Sequence, residues 1–172
     1  MRLLSASIPR AVIDAEIRAA TYPGHAPARW ALPLLDELDA WTSHWQLVEL
    51  DGEWLANLWL PPHVGEACHG DTMRLGHGLD GATLEDAHAW LHAHADVYST
   101  ANPSCWGRIT HAARSEPTAI VVSTVVVGDR TKPPDAALVV VDGFHRALGY
   151  WMAGHRSLLA YVPVGREHDA AN

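Results

Sequence analysis

The stretch Ala137–Gly165, ALVVVDGFHRALGYWMAGHRSLLAYVPVG, decides how the rest of the chain is read. Leu138 to Val141 is a short apolar run rich in β-branched residues, the pattern of a buried strand. Asp142-Gly143 ends it: Asp142 is a good helix N-cap, and Gly143 permits close backbone approach. Phe144, Ala147, Leu148, Trp151 and Met152 then fall at helical spacing, and Gly154 sits where a helix commonly ends. Ser157 to Val164 reads as a second strand. The order is strand, tight turn, helix, strand, with His145 and Arg146 on the first helical turn.

A helix N-terminus presents unpaired backbone N–H groups and a partial positive charge, so it attracts anions. Arg146 opposes that dipole and therefore calls for an anionic partner. One candidate is internal, Asp142 or another carboxylate of the chain. The other is a bound phosphate or carboxylate, which a guanidinium fork grips through two oxygens.

Asp142-Gly143-Phe144-His145-Arg146 resembles the phosphate-binding box of the ParB/sulfiredoxin-like superfamily, a strand, a Gly-x-His-Arg turn, a helix and a strand. Pro117 and the run Ala119–Val127 are similar to that family's preceding proline-then-strand element. The resemblance covers about 117–165. It implies an α+β fold with a mixed sheet packed against helices, and nucleotide phosphate held at Gly143, His145 and Arg146. It also implies Arg114 as a second anion contact, with His111 beside it. Phe144 stands where sulfiredoxins carry their catalytic cysteine, which argues against sulfiredoxin chemistry.

The chain has 172 residues, enough for one domain with a substantial core. The net charge of −8 and a single lysine, Lys132, disfavour nucleic acid as a partner. Cys68 and Cys105 have no paired spacing, so no disulfide framework is implied and a reducing compartment fits. No apolar run approaches a membrane span, and Pro9, Arg10, Asp14 and Glu16 interrupt the N-terminus too early for a secretory signal, so the expected location is cytoplasmic. No P-loop, dinucleotide fingerprint or nucleophile elbow is present.

Along the chain, Ser7-Ile8-Pro9 opens a helix to about Ala20, with Ser7 as cap. A second helix is expected from about Leu32 to His44, with Leu34, Leu35, Leu38 and Trp41 as its core stripe. Asp51-Gly52 between Trp45–Leu50 and Glu53–Leu60 is a hairpin signal. Residues 61–82 form a long irregular stretch carrying His63, Glu66, Cys68, His69, Asp71, Arg74 and His77, either a lid or a surface loop. Thr83 with Asp86 caps a helix to Tyr98, whose buried stripe is Leu84, Ala87, Leu91, Ala95 and Tyr98. His88 and His92 share a face there and are candidate metal ligands, to be completed from Cys68, His69, His77 or Asp96. A short helix is expected over Trp106–Ser115, with Arg108, His111 and Arg114 on one face. Ala119–Val127 reads as a long strand. These parts make one domain: a helical and hairpin part over 1–116, the core over 117–165, and a frayed tail over 166–172.

Three functions remain open. In the first, a small-molecule phosphotransferase or nucleotidase uses ATP or CTP with Mg²⁺. Asp142 holds the turn or a metal, Arg146 and the Gly143 N–H cradle phosphate, and His145 donates a hydrogen bond or acts as general acid/base. Glu16, Glu66 and Glu116 are candidate bases. In the second, the same His/Arg pocket takes a carboxylate and no nucleotide. In the third, the chain is a DNA- or protein-partner module, against which the acidic charge counts.

Overall fold

The two strands expected around the 142–146 turn belong to one large sheet. The computed structural model describes residues 1–20, 27–61, 81–128 and 132–165. In chain order the elements are β1 (Arg2–Ile8), α1 (Arg10–Ala19), α2 (Pro27–Asp39), β2 (Thr42–Asp51), α3 (Gly52–Ala56), β3 (Trp59–Leu60) and β4 (Ala82–Thr83). Then follow α4 (Leu84–Ala101), α5 (Pro103–Ala112), β5 (Ile120–Ser123), β6 (Val139–Asp142), α6 (Phe144–Met152) and β7 (Ser157–Gly165). The seven strands lie in the order β1-β2-β7-β5-β6-β3-β4. The β5–β7 and β3–β6 pairs are parallel and the others antiparallel, so the protein is α+β with a mixed sheet.

Alternation along the strands divides the core in two. Val48, Leu50, Ile120, Val122, Val140, Leu158 and Ala160 face α3, α4, α5 and α6. Trp45, Val121, Val141 and Tyr161 face α1 and α2. The sheet is therefore covered on both sides, which is why the central strands β5, β6 and β7 read as continuous apolar runs rather than as alternating ones.

The 45–60 hairpin does not form. Asp51 ends β2, which pairs with β1 on one side and β7 on the other. Gly52, at φ +47°, turns the chain into α3. Leu55 in α3 and Leu58 just beyond its end are both fully buried in the core, while Trp54 is exposed. A local turn signal lost to long-range strand pairing and to helical burial. Residues 2–8 form the edge strand β1, so Ser7 and Ile8, expected to open the first helix, lie in that strand and Ser7 does not cap α1.

The second helix starts earlier than expected, at Pro27, so Pro33 lies inside it and Thr42–His44 begin β2. Trp41 is 60% exposed and does not join the core stripe. Strand β5 spans four residues rather than nine, and Val125 and Val126 beyond it are exposed. The first hundred residues are not a separate layer, since β1 to β4 complete the sheet on both flanks of the 117–165 part. The expectations for 62–80, including the lid and its His, Cys and Arg residues, fall outside the described residues, as does the tail 166–172.

Two helix ends match their sequence signals, the start of α4 and the end of α6. Thr83 accepts from the Asp86 N–H at 3.1 Å and donates to its carboxylate at 2.8 Å, closing the start of α4. Gly154, at φ +91°, ends α6 with His155 N–H on Tyr150 O and Gly154 N–H on Trp151 O, each 3.0 Å. On the other face Arg10 binds Asp14, Asp36 and Asp39, and Asp39 also accepts from Trp45 Nε1 at 2.9 Å, tying α1, α2 and β2 together. No described helix is long and apolar enough to cross a membrane.

Candidate functional site at two helix heads

Gly143 is the N-cap of α6 and adopts φ +105°, a left-handed conformation that favours glycine. A Cβ there would stand 2.6 Å from Ile120 Cγ2, so the turn packs directly on β5. Asp142 is the last residue of β6 rather than the cap. Its carboxylate accepts from Arg146 Nη2 at 2.5 Å across one helical turn. Arg146 Nη1 donates to Ala119 O at 2.7 Å and to Thr118 Oγ1 at 3.0 Å. The anionic partner that Arg146 requires is thus Asp142, and its guanidinium ties the head of α6 to the entry of β5. Tyr150 adds a second tie, its hydroxyl accepting from the Thr118 N–H at 3.1 Å.

His145 points elsewhere. Its Nε2 lies 3.2 Å from the Sγ of Cys105, in the first turn of α5, and that sulfur accepts from the Tyr98 hydroxyl at 2.9 Å. Further along, Gly149 of α6 faces Ile109, Ala112 and Ala113 at the far end of α5. Residue numbers rise together on the two helices, so α5 and α6 run in the same direction and their N-termini meet at the Cys105–His145 contact. A Cβ on Gly149 would sit 2.4 Å from Ile109 O, so only glycine allows so close a crossing. Two partial positive charges therefore converge on one thiol–imidazole pair.

Other polar groups crowd the α5 head. Asn102, its N-cap, is 6% exposed, and its Nδ2 has no acceptor among the described residues. Arg108, one turn beyond Cys105, is 7% exposed, an unusual burial for a charged side chain. His145 itself is half-buried, so the imidazole is reachable where the sulfur is not.

The remaining sequence candidates are distributed more widely. Helix α5 starts at Pro103 rather than Trp106 and ends at Ala112. His111 is exposed near its C-terminal end, about 9 Å along the axis from Cys105 at 1.5 Å per residue, and Arg114 is exposed beyond that end, so neither sits beside His145. Arg108 is buried, so the three basic residues do not share an exposed face. His88 and His92 have ring centroids 6.4 Å apart, and among the described residues no cluster of three metal-ligating side chains includes them. The His88 imidazole is held below its usual range by burial, then by Arg156 and His92. Glu16 accepts from Tyr161 at 2.7 Å on the opposite face of the sheet, and Glu116 is exposed before β5.

Sequence reasoning missed Cys105, Tyr98 and Asn102 as site residues. The available signal was Asn102-Pro103, a cap followed by proline at the first helical position, which places Cys105 on a first turn. Nothing in the sequence paired that turn with the one at His145.

The architecture defines a mixed sheet covered by helices on both faces, with a thiol–imidazole pair where two helix heads meet. The chain belongs to a family of unknown function, DUF6309, whose model matches residues 28–167. No curated protein and no solved structure matches it.

Proposed function

We propose that the protein is a small-molecule enzyme that binds an oxyanionic substrate group at the joined heads of α5 and α6, with His145 as the acid/base. The observation that carries this reading is the convergence of the two helix N-termini on His145. Oriented N–H groups and aligned dipoles favour negative charge there without any lysine. The resemblance of residues 142–146 to the ParB/sulfiredoxin-like phosphate box supports a nucleotide phosphate, from ATP or CTP with Mg²⁺, as the bound group. In this reading Arg146 and Asp142 keep the turn in shape, and the glycine turn with His145 faces the anion.

A second reading has a specific observation behind it. Arg146 spends both terminal nitrogens on Asp142, Thr118 and Ala119, which leaves less cationic charge for a triphosphate than for a single carboxylate or phosphate. An enzyme that uses no nucleotide fits that count better.

A thermal-shift series separates them: ATP, ADP, CTP and GTP with and without Mg²⁺, beside inorganic phosphate and pyrophosphate. A ligand at about a hundred times its dissociation constant adds about 2.7 kcal/mol, or roughly 5–10 °C for a chain of this length. Shifts with nucleotides that are lost in His145→Ala support phosphotransfer. Shifts with the small anions alone support the nucleotide-free enzyme. No shift with any of them at millimolar concentration overturns the oxyanion site.

A further inference from the structure

We propose that the protein pairs with a second copy of itself along β1, the two sheets joining edge to edge across a two-fold axis at Ser5. The proposal goes beyond the oxyanion site and does not depend on it.

β1 is the terminal strand of the sheet, and among the described residues it pairs with β2 alone. Its outer side therefore presents backbone N–H and C=O groups that a further strand can pair with. Such edges are ordinarily guarded by shortness, by charge or by proline. β1 runs for seven residues, with no charge and no proline from Leu3 to Ile8. It also holds apolar side chains in water, Leu3 being 53% exposed and Leu4 43%.

The strand is complementary to its own reverse. Leu3 and Leu4 fill its first half, and the small residues Ser5, Ala6 and Ser7 fill most of its second. Antiparallel pairing about Ser5 sets Leu3 opposite Ser7 of the second copy and Leu4 opposite Ala6. Each leucine then meets a small side chain, and neither meets its twin. Charge agrees with this arrangement. Arg2 lies opposite Ile8 of the second copy, not opposite another arginine, and its guanidinium is already held by Glu49 at 2.6 Å. A two-fold axis repeats the same patch on both sides, and here that repetition opposes no like charges.

One guard is present, and it favours a second copy over a foreign strand. The register with β2 shifts between Leu3 and Ser5 and again between Ser5 and Ile8, each shift adding one residue to β1. Bulges of this kind twist an edge away from a flat strand. A second copy carries the same bulges and the same twist, so two-fold pairing matches one twisted strand to another.

The test is analytical ultracentrifugation of the full chain from micromolar to near-millimolar protein. We expect the mass to rise to that of a dimer, and Leu4→Lys, which sets an added charge on each side of the axis, to weaken association at least tenfold. Leu4 is exposed, so the far-ultraviolet circular dichroism of this variant should match the parent. A parent that stays monomeric at every concentration overturns the proposal, and that reading needs no variant. A dimer whose affinity Leu4→Lys leaves unchanged also overturns it, because the interface then lies elsewhere. Ser5→Cys reads the register. Facing Cα atoms in an antiparallel pair are about 4.5–5.5 Å apart, within disulfide reach. Oxidation of Ser5→Cys is expected to give a covalent dimer linked through position 5 of both copies, as mapped by peptide mass spectrometry. A dimer that forms no such link overturns the axis at Ser5.

Discussion

Gly149→Ala is the sharpest perturbation of the contact between α5 and α6. The new methyl group would meet Ile109 O at 2.4 Å, Ala112 Cβ at 2.7 Å and Ala113 N at 2.8 Å. Ordinary non-bonded contacts begin near 3.5 Å, so the closest approach is short by about 1 Å. All three atoms are backbone or Cβ, and none can rotate aside, so the helices themselves must separate. Overpacking of this kind costs about 1–3 kcal/mol. Alanine regains up to about 1 kcal/mol of helix propensity over glycine, and because no contacted atom can rotate aside the overpacking cost lies in the upper part of its range, leaving a net loss of roughly 1–2 kcal/mol. For a chain of this length that lowers the melting midpoint by roughly 2–8 °C. Gly107→Ala is the control: it lies on α5, is exposed, and its added methyl meets nothing within 4 Å. It should gain about 0.5–1 kcal/mol. Urea unfolding of the two variants beside the parent checks both signs. A Gly149→Ala protein as stable as the parent would refute the close crossing and the joined helix heads built on it.

Burial, then the hydrogen bond to Glu16, pushes the Tyr161 phenol above its ordinary range. Its folded value exceeds its unfolded one, so stability is fully present below about pH 10 and falls as pH rises beyond it. Unfolding curves from pH 9 to 11 should therefore show less alkaline destabilisation in Tyr161→Phe than in the parent. His88 has the opposite sense: its value lies below the usual imidazole range, so its contribution is present above about pH 6.5 and lost as pH falls through that range. NMR titration should give His88 a midpoint below that of an ordinary histidine, and Arg156→Gln should raise it. Arg146→Gln should destabilise the fold by about 1–3 kcal/mol by leaving the Asp142 carboxylate and Ala119 O without their donor. Asp142→Asn combined with Arg146→Gln should cost less than the sum of the two single changes, read by a double-mutant cycle.

What the sequence disclosed is what local chemistry determines. The β6–α6–β7 order followed from the Leu138–Val141 run, the helical spacing after Gly143 and the glycine at 154. The start of α4 followed from Thr83 and Asp86. Elements fixed by distant partners were not legible. Strand β1 has no clear pattern of its own and exists because β2 offers it an edge. The Asp51-Gly52 turn looks like a hairpin until Leu55 and Leu58 are seen to need burial under α4. At the site, the Asp142–Arg146 pair was legible because its partners are four residues apart. The Cys105–His145 contact joins residues forty apart through the crossing at Gly149, and no local pattern announces it.

The central claim is that α5 and α6 present one oxyanion-binding head built around His145. The most direct measurement is a titration of ¹⁵N-labelled protein with pyrophosphate, followed by backbone amide shifts. The account predicts saturable shifts concentrated at residues 104–106 and 144–146 together, with the same midpoint, and their loss in His145→Ala. Shifts confined to the His111–Arg114 end of α5, or none at millimolar pyrophosphate, would contradict it.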